Sequence, residues 1–115
     1  MPKTYKVILS SEAGKNIEQA YHWIAEADPK AAKRWYNGLI GALEKLSQFP
    51  LRCPLAPESR LGLLDVEIHQ LLYGSGFWKY RILFAIEGDR VLIAHVRHGA
   101  RLYLGQEESE PDEPE

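Results

Sequence analysis

Tyr80-Arg81-Ile82-Leu83-Phe84-Ala85-Ile86-Glu87-Gly88-Asp89-Arg90-Val91-Leu92-Ile93-Ala94-His95-Val96-Arg97-His98-Gly99-Ala100-Arg101 is the stretch that decides how this chain folds. Two apolar runs rich in β-branched and aromatic residues, 80–86 and 91–96, flank Glu87-Gly88-Asp89-Arg90, a pattern that predicts a β-hairpin. Gly88 at the first position of a two-residue loop suits a type II′ turn, because only glycine takes the required positive φ without steric cost. That turn sets a register in which 87 faces 90 and 86 faces 91. Opposed residues share a face, and a strand alternates faces every residue. Ile82, Phe84 and Ile86 should therefore lie beside Val91, Ile93 and His95, as a floor for covering helices. The other face should carry Leu83, Ala85, Leu92 and Ala94 near the turn, with Lys79, Arg81, Val96 and His98 gathered at its open end.

Arg81 is the odd member of this apolar strand. A desolvated guanidinium is expensive unless it is paired, so the residue needs a partner or a purpose. Glu67 on the neighbouring strand is the candidate partner. A stem that snorkels to the sheet edge is the plain alternative.

Upstream, Asp65 to Tyr73 alternates Val66, Ile68 and Gln70 against Glu67, His69 and Leu71, which predicts a strand, and Gly74-Ser75-Gly76 turns it back into Phe77 and the hairpin. Leu51 to Leu61, with Pro54, Pro57 and Arg60, reads as a loop. Ala32, Trp35, Tyr36, Leu39, Leu43 and Leu46 recur at helical spacing until about Gln48, where Phe49-Pro50 stops them. Asp28-Pro29 starts that helix, with Asp as cap and Pro at the first helical position. Gly38 and Gly41 weaken it by roughly 1 kcal/mol each relative to Ala, which suggests close approach by the preceding helix. That helix, Glu12 to Ala27, carries Ala13, Ile17, Ala20, Tyr21 and Ile24 as its stripe. His22 and Trp23 fall off the stripe and are expected on an exposed or partner-facing side. Tyr5 to Leu9 is β-rich and ends at Ser10-Ser11, a pair of good N-caps. The chain is thus read as α+β: an N-terminal strand, an antiparallel helical hairpin, then a three-stranded antiparallel meander.

At 115 residues and 13.1 kDa the chain has room for one domain, and 45% hydrophobic with 26% charged residues is ordinary globular composition. No run approaches a membrane span, and the N-terminus turns polar too soon for a signal peptide, so a cytoplasmic protein is expected. A lone Cys53 makes no internal disulfide or metal knuckle, and His22, His69 and His95 lack metal-ligand spacing. No metal or cofactor is expected. The net charge of −2 hides an asymmetry: residues 106–115 hold six of the sixteen acids and no base, leaving 14 bases against 10 acids over residues 1–105. Residues 1–105 are read as the folded domain and 106–115 as a disordered acidic tail, since it has no apolar residue to offset the entropy of ordering.

Taken in order, Leu46-Ser47-Gln48-Phe49-Pro50, Gly74-Ser75-Gly76, Tyr80-Arg81-Ile82-Leu83-Phe84, Glu87-Gly88-Asp89 and Val96-Arg97-His98-Gly99-Ala100-Arg101 resemble the RelE/ParE superfamily of bacterial type II toxins, also known as plasmid stabilisation proteins. The resemblance spans about Tyr5 to Tyr103. It implies a microRNase-like fold and a cognate antitoxin that wraps the toxin. It also implies one of two targets: RelE-like members are endoribonucleases that cut mRNA on the ribosome, and ParE-like members poison DNA gyrase. Both a homodimer and a heterotetramer with antitoxin are compatible with it.

RNA cleavage of this kind activates a ribose 2′-OH, stabilises charge on phosphorus and protonates a leaving oxygen. Lys79, Arg81, His98 and Arg101 supply such groups, and the two arginines match the RelE-like pattern; these four are the catalytic candidates if the chain is an mRNA interferase. Tyr103 comes only two residues after Arg101, whereas the RelE-like tyrosine comes later, so that role is not carried over to it. The body charge is also modest for docking into ribosomal RNA. Trp23, Trp78, Arg97 and Tyr103 are the candidates for binding an antitoxin or target. Core or rim packing for the tryptophans, and solvated edge charge for Arg97 and Arg101, are the plain alternatives. The expectation is a toxin of ParE-like type that inhibits growth by binding gyrase. A RelE-like ribonuclease and a non-toxic antitoxin-binding relic are the alternatives.

Overall fold

The structure, a computed structural model, describes residues 4–60, 66–74 and 79–99; Trp78, Arg101, Tyr103 and the acidic tail 106–115 lie outside the described residues. A short strand β1 (Lys6–Leu9) runs into helix α1 (Ser11–Ala27), followed by helix α2 (Pro29–Leu46). Ser10 caps α1 by accepting from the Ala13 N–H at 2.9 Å. Asp28 caps α2 by accepting from Lys30 and Ala31 N–H, with Pro29 at the first helical position. A 3-10 turn (Pro50–Arg52) and a one-turn helix α3 (Pro57–Arg60) then lead to β2 (His69–Tyr73), β3 (Tyr80–Glu87) and β4 (Arg90–His98). The region read as a loop from 51 to 61 therefore contains two short helical pieces, and of the strand read over 65–73, whose first residue lies outside the described residues, 66–68 are not strand and His69–Tyr73 are.

The four strands form one sheet in the order β1-β4-β3-β2, with β1 parallel to β4 and the rest antiparallel. Both helices pack on one face. Ala13, Ile17, Ala20 and Ile24 of α1 and Ala32, Trp35, Leu39, Leu43 and Leu46 of α2 are buried there, against Ile82, Phe84, Val91 and Ile93 of the sheet. Tyr36, read as part of the stripe, is instead 41% exposed.

The turn forms as read: Gly88 has φ of 59°, among the described residues no non-glycine residue has positive φ, and Glu87 faces Arg90. The register then shifts. Phe84 faces Ile93, but Leu83 faces His95, so Ala94 is an extra residue on β4. The cause lies at the β1–α1 junction. β1 pairs with β4 only as far as Leu9 opposite Ile93, and the departing chain bonds the bulge instead. Ser10 N–H donates to the Ile93 carbonyl at 2.9 Å, the Ser10 hydroxyl donates to the Ala94 carbonyl at 2.9 Å, and Asn16 Oδ1 accepts from Val96 N–H at 3.0 Å.

One extra residue exchanges the faces of everything beyond it. Val96 and His98 join the helical face, while His95 moves to the other side, beside Leu83. The expected gathering of Lys79, Arg81, Val96 and His98 on one face is therefore not formed. Gly38 also has a different purpose from the one read. A β-carbon there would collide with the Tyr73 hydroxyl of β2, whereas Gly41 has no atom within 4 Å of such a position. Gly38 thus makes room for β2, not for α1.

Candidate functional site

Arg81 sits at 4% exposure on the sheet face away from α1 and α2. Its Nη2 donates to Glu58 Oε1 at 2.5 Å and its Nε donates to Gln70 Oε1 at 2.7 Å. Glu58, on α3, is fully buried. The expected partner Glu67 is exposed, and the snorkelling alternative fails because the head group is sealed in. A buried ion pair is tolerable only with good geometry and further hydrogen bonds, and here bonds from two directions supply them.

The segment that carries Glu58 is tied down along its length. Ala56 N–H donates to the Ile68 carbonyl at 2.7 Å, and Gln70 N–H donates to the Pro54 carbonyl at 2.9 Å. Ile68 N–H donates to the Ser59 hydroxyl at 2.7 Å. Beneath this strap, Ala56, Ile68 and Leu83 form a second, small core. His69 belongs to the same region, with Nδ1 2.9 Å from the Cys53 carbonyl and its ring stacked on Phe84. Burial pushes the Cys53 thiol above its ordinary range.

The other catalytic candidates lie elsewhere. His98 is 7% exposed on the helical face, opposite Tyr80, with its ring edge-on to Trp23 at 5.6 Å and to Tyr80 at 5.2 Å. Trp23 is consequently a half-buried core aromatic and not the exposed side expected of it. Lys79 is exposed at the strand end, where its carbonyl accepts from Gly99 N–H. Arg97 stands opposite Arg81 on β4 and is half-buried. Of the four catalytic candidates, then, Arg81 and His98 lie on opposite faces, Lys79 is at the margin, and Arg101 lies outside the described residues. Among the described residues no group of three or more His, Cys, Asp or Glu side chains could hold a metal.

Sequence reading missed two other features. The first is Glu58 itself, a carboxylate in a Pro-rich stretch with no local signal for burial. The second is the lining of two apolar grooves, one on either side of α2, of which only the hairpin groove was expected and without its residues. The hairpin groove, between α1 and α2 beside β1, is lined by Leu9, Ile17, Tyr21, Tyr36 and Ile40; Leu9, Tyr36 and Ile40 are among the large apolar residues left exposed. The other, between α2 and β2, is lined by Phe49, Leu71, Leu72 and Tyr73 together with Lys45 and Arg52. Exposed apolar side chains in contiguous patches mark docking surfaces more often than isolated ones do.

Among the described residues no helix is long and apolar enough to cross a membrane. A family model described as the ParE toxin of the type II toxin-antitoxin system, parDE, matches residues 7–103. A solved structure described as the chromosomal ParDE TA system from P. aeruginosa is similar in fold, with a TM-score of 0.64 at 12% identity over 83% of this chain and 96% of that one. Comparison with curated proteins gives no match.

Proposed function

Because this chain belongs to the ParE toxin family of type II toxin-antitoxin systems, we propose that it inhibits growth in the cytoplasm by binding DNA gyrase rather than by cutting RNA, and that a cognate antitoxin neutralises it. The observation that carries the reading is the sealing of Arg81. A ribonuclease needs its cations and proton carriers around one phosphate. Here Glu58 and Gln70 occupy Arg81 on one face while His98 packs among Trp23 and Tyr80 on the other. A binding mode of action makes no such demand. The hairpin groove, with Leu9, Tyr36 and Ile40 exposed, suits an amphipathic antitoxin helix that lays its apolar face between α1 and α2.

The test is induced expression in a bacterial host lacking antitoxin, with translation and the DNA-damage response followed together. Filamentation with damage signalling is expected. Rapid loss of translation with cut mRNAs would move the assignment to the RelE-like ribonuclease, and normal growth with folded protein would leave an antitoxin-binding relic.

A further inference from the structure

β2 is an edge strand whose outer side is only half covered. Pro54–Ala56 runs antiparallel along it, with Leu55 opposite His69 and bonds to the Ile68 carbonyl and the Gln70 N–H. Those bonds fix the alternation: Ile68 and Gln70 turn their backbone groups outward, and two residues later so does Leu72. There the covering chain has already left, turning at Cys53 back into the 3-10 turn. Among the described residues nothing bonds the outward N–H or carbonyl of Leu72, and its side chain is 52% exposed.

Beside this open edge lies the α2–β2 groove. Its floor is apolar, from Phe49, Leu71 and Tyr73, and its charged lining residues, Lys45 and Arg52, are both basic. The Arg52 guanidinium lies 4.3 Å from the centre of the Phe49 ring. Among the described residues neither base has an acidic partner within ion-pair distance. An unpaired backbone edge, an apolar trough and unneutralised cations thus occur together.

We propose that the Leu72 edge and the α2–β2 groove form a strand-addition site for an extended segment of a partner protein whose groove-facing side carries both apolar and acidic residues. Main-chain bonds to Leu72 provide the attachment. Alternate side chains of the added strand face the groove, where its apolar ones meet Phe49, Leu71 and Tyr73 and its carboxylates meet Lys45 and Arg52. The site lies across α2 from the hairpin groove, so it stands whether or not the antitoxin reading does.

The experiment uses the full chain and an array of nonapeptides in which every second position is Val, Leu or Glu and the positions between are Ser, beside Lys-for-Glu and scrambled counterparts. Peptides with Glu should bind at least tenfold more tightly than those with Lys. Leu72→Pro removes the outward N–H and no internal ladder bond, so it should lower binding at least tenfold with a cooperative melt retained. The double variant Lys45→Glu, Arg52→Glu should reverse the preference for charge, and it keeps the test alive if Leu72→Pro fails to fold. Binding no better than scrambled controls, or a preference indifferent to the double variant, overturns the proposal. So does self-association through this edge that Leu72→Pro abolishes, because the occupant would then be a second copy.

Discussion

The two faces of the sheet are built on different principles. The helical face is a broad apolar interface in which Ile82, Phe84, Val91 and Ile93 meet two amphipathic helices, and each such side chain contributes about 1.5–3 kcal/mol on burial. The opposite face has a small apolar patch and is closed by a strap of a few residues, whose anchor is the Glu58–Arg81 pair. Many interchangeable contacts hold the first; a few specific ones, the buried ion pair foremost, hold the second. It follows that the second face is where sequence change can alter what the domain does without dissolving it.

The largest expected effect tests the helical face. Leu43→Asp buries an unpaired carboxylate among the helices, at a cost above about 4 kcal/mol, and should abolish the cooperative thermal melt. An unchanged melting temperature would show that this interface does not carry the fold.

Next comes the strap. Glu58→Ala leaves the Arg81 guanidinium buried without its counter-charge and should cost about 3–5 kcal/mol in chemical denaturation. The double variant Glu58→Leu, Arg81→Met removes both charges and should recover most of that loss, because isosteric apolar replacement of a buried pair is often neutral. On the gyrase reading the double variant also retains growth inhibition. Loss of inhibition in a protein as stable as wild type would return Arg81 to the active machinery.

The two glycines of α2 set the faces against each other more finely. Gly38→Ala drives a methyl group into the Tyr73 hydroxyl and should destabilise by about 1–3 kcal/mol, while Gly41→Ala meets open space and should stabilise by about 1 kcal/mol through helix propensity. Equal effects would mean that β2 is not seated against α2 as described.

What could be read in the sequence divides along the same line. The hairpin, both helix caps and the helical stripes follow local rules, from Gly88, Ser10 and Asp28-Pro29 to a spacing of three and four residues. The bulge at Ala94 does not, because its cause is Ser10 and Asn16 bonding β4 from about 80 residues away in sequence. Since that one residue decides which face His98 occupies, the candidate site was assembled wrongly from correctly recognised parts. Glu58 was invisible for a related reason. A carboxylate in a Pro-rich stretch looks solvated until the fold brings Arg81 over it, and no periodicity reports a contact that depends on a four-residue helix.

The smallest effect is expected where the two faces meet at the end of β2. The Tyr73 hydroxyl donates to the Trp35 carbonyl at 2.8 Å, and burial raises its pKa above the ordinary value of 10.0. Tyr73→Phe removes this bond but leaves the carbonyl within the helical ladder, so at neutral pH the loss should be only about 0.5 kcal/mol. The pH dependence is more informative. A raised folded-state pKa means that the neutral phenol is favoured on folding, so this contribution is fully present below pH 10 and is lost as pH rises through the folded-state value. Wild-type stability should therefore fall more steeply on the alkaline side than that of Tyr73→Phe. Parallel curves measured by denaturant titration from pH 8 upward would show that the phenol is solvated, and that the seat Gly38 provides is empty of consequence.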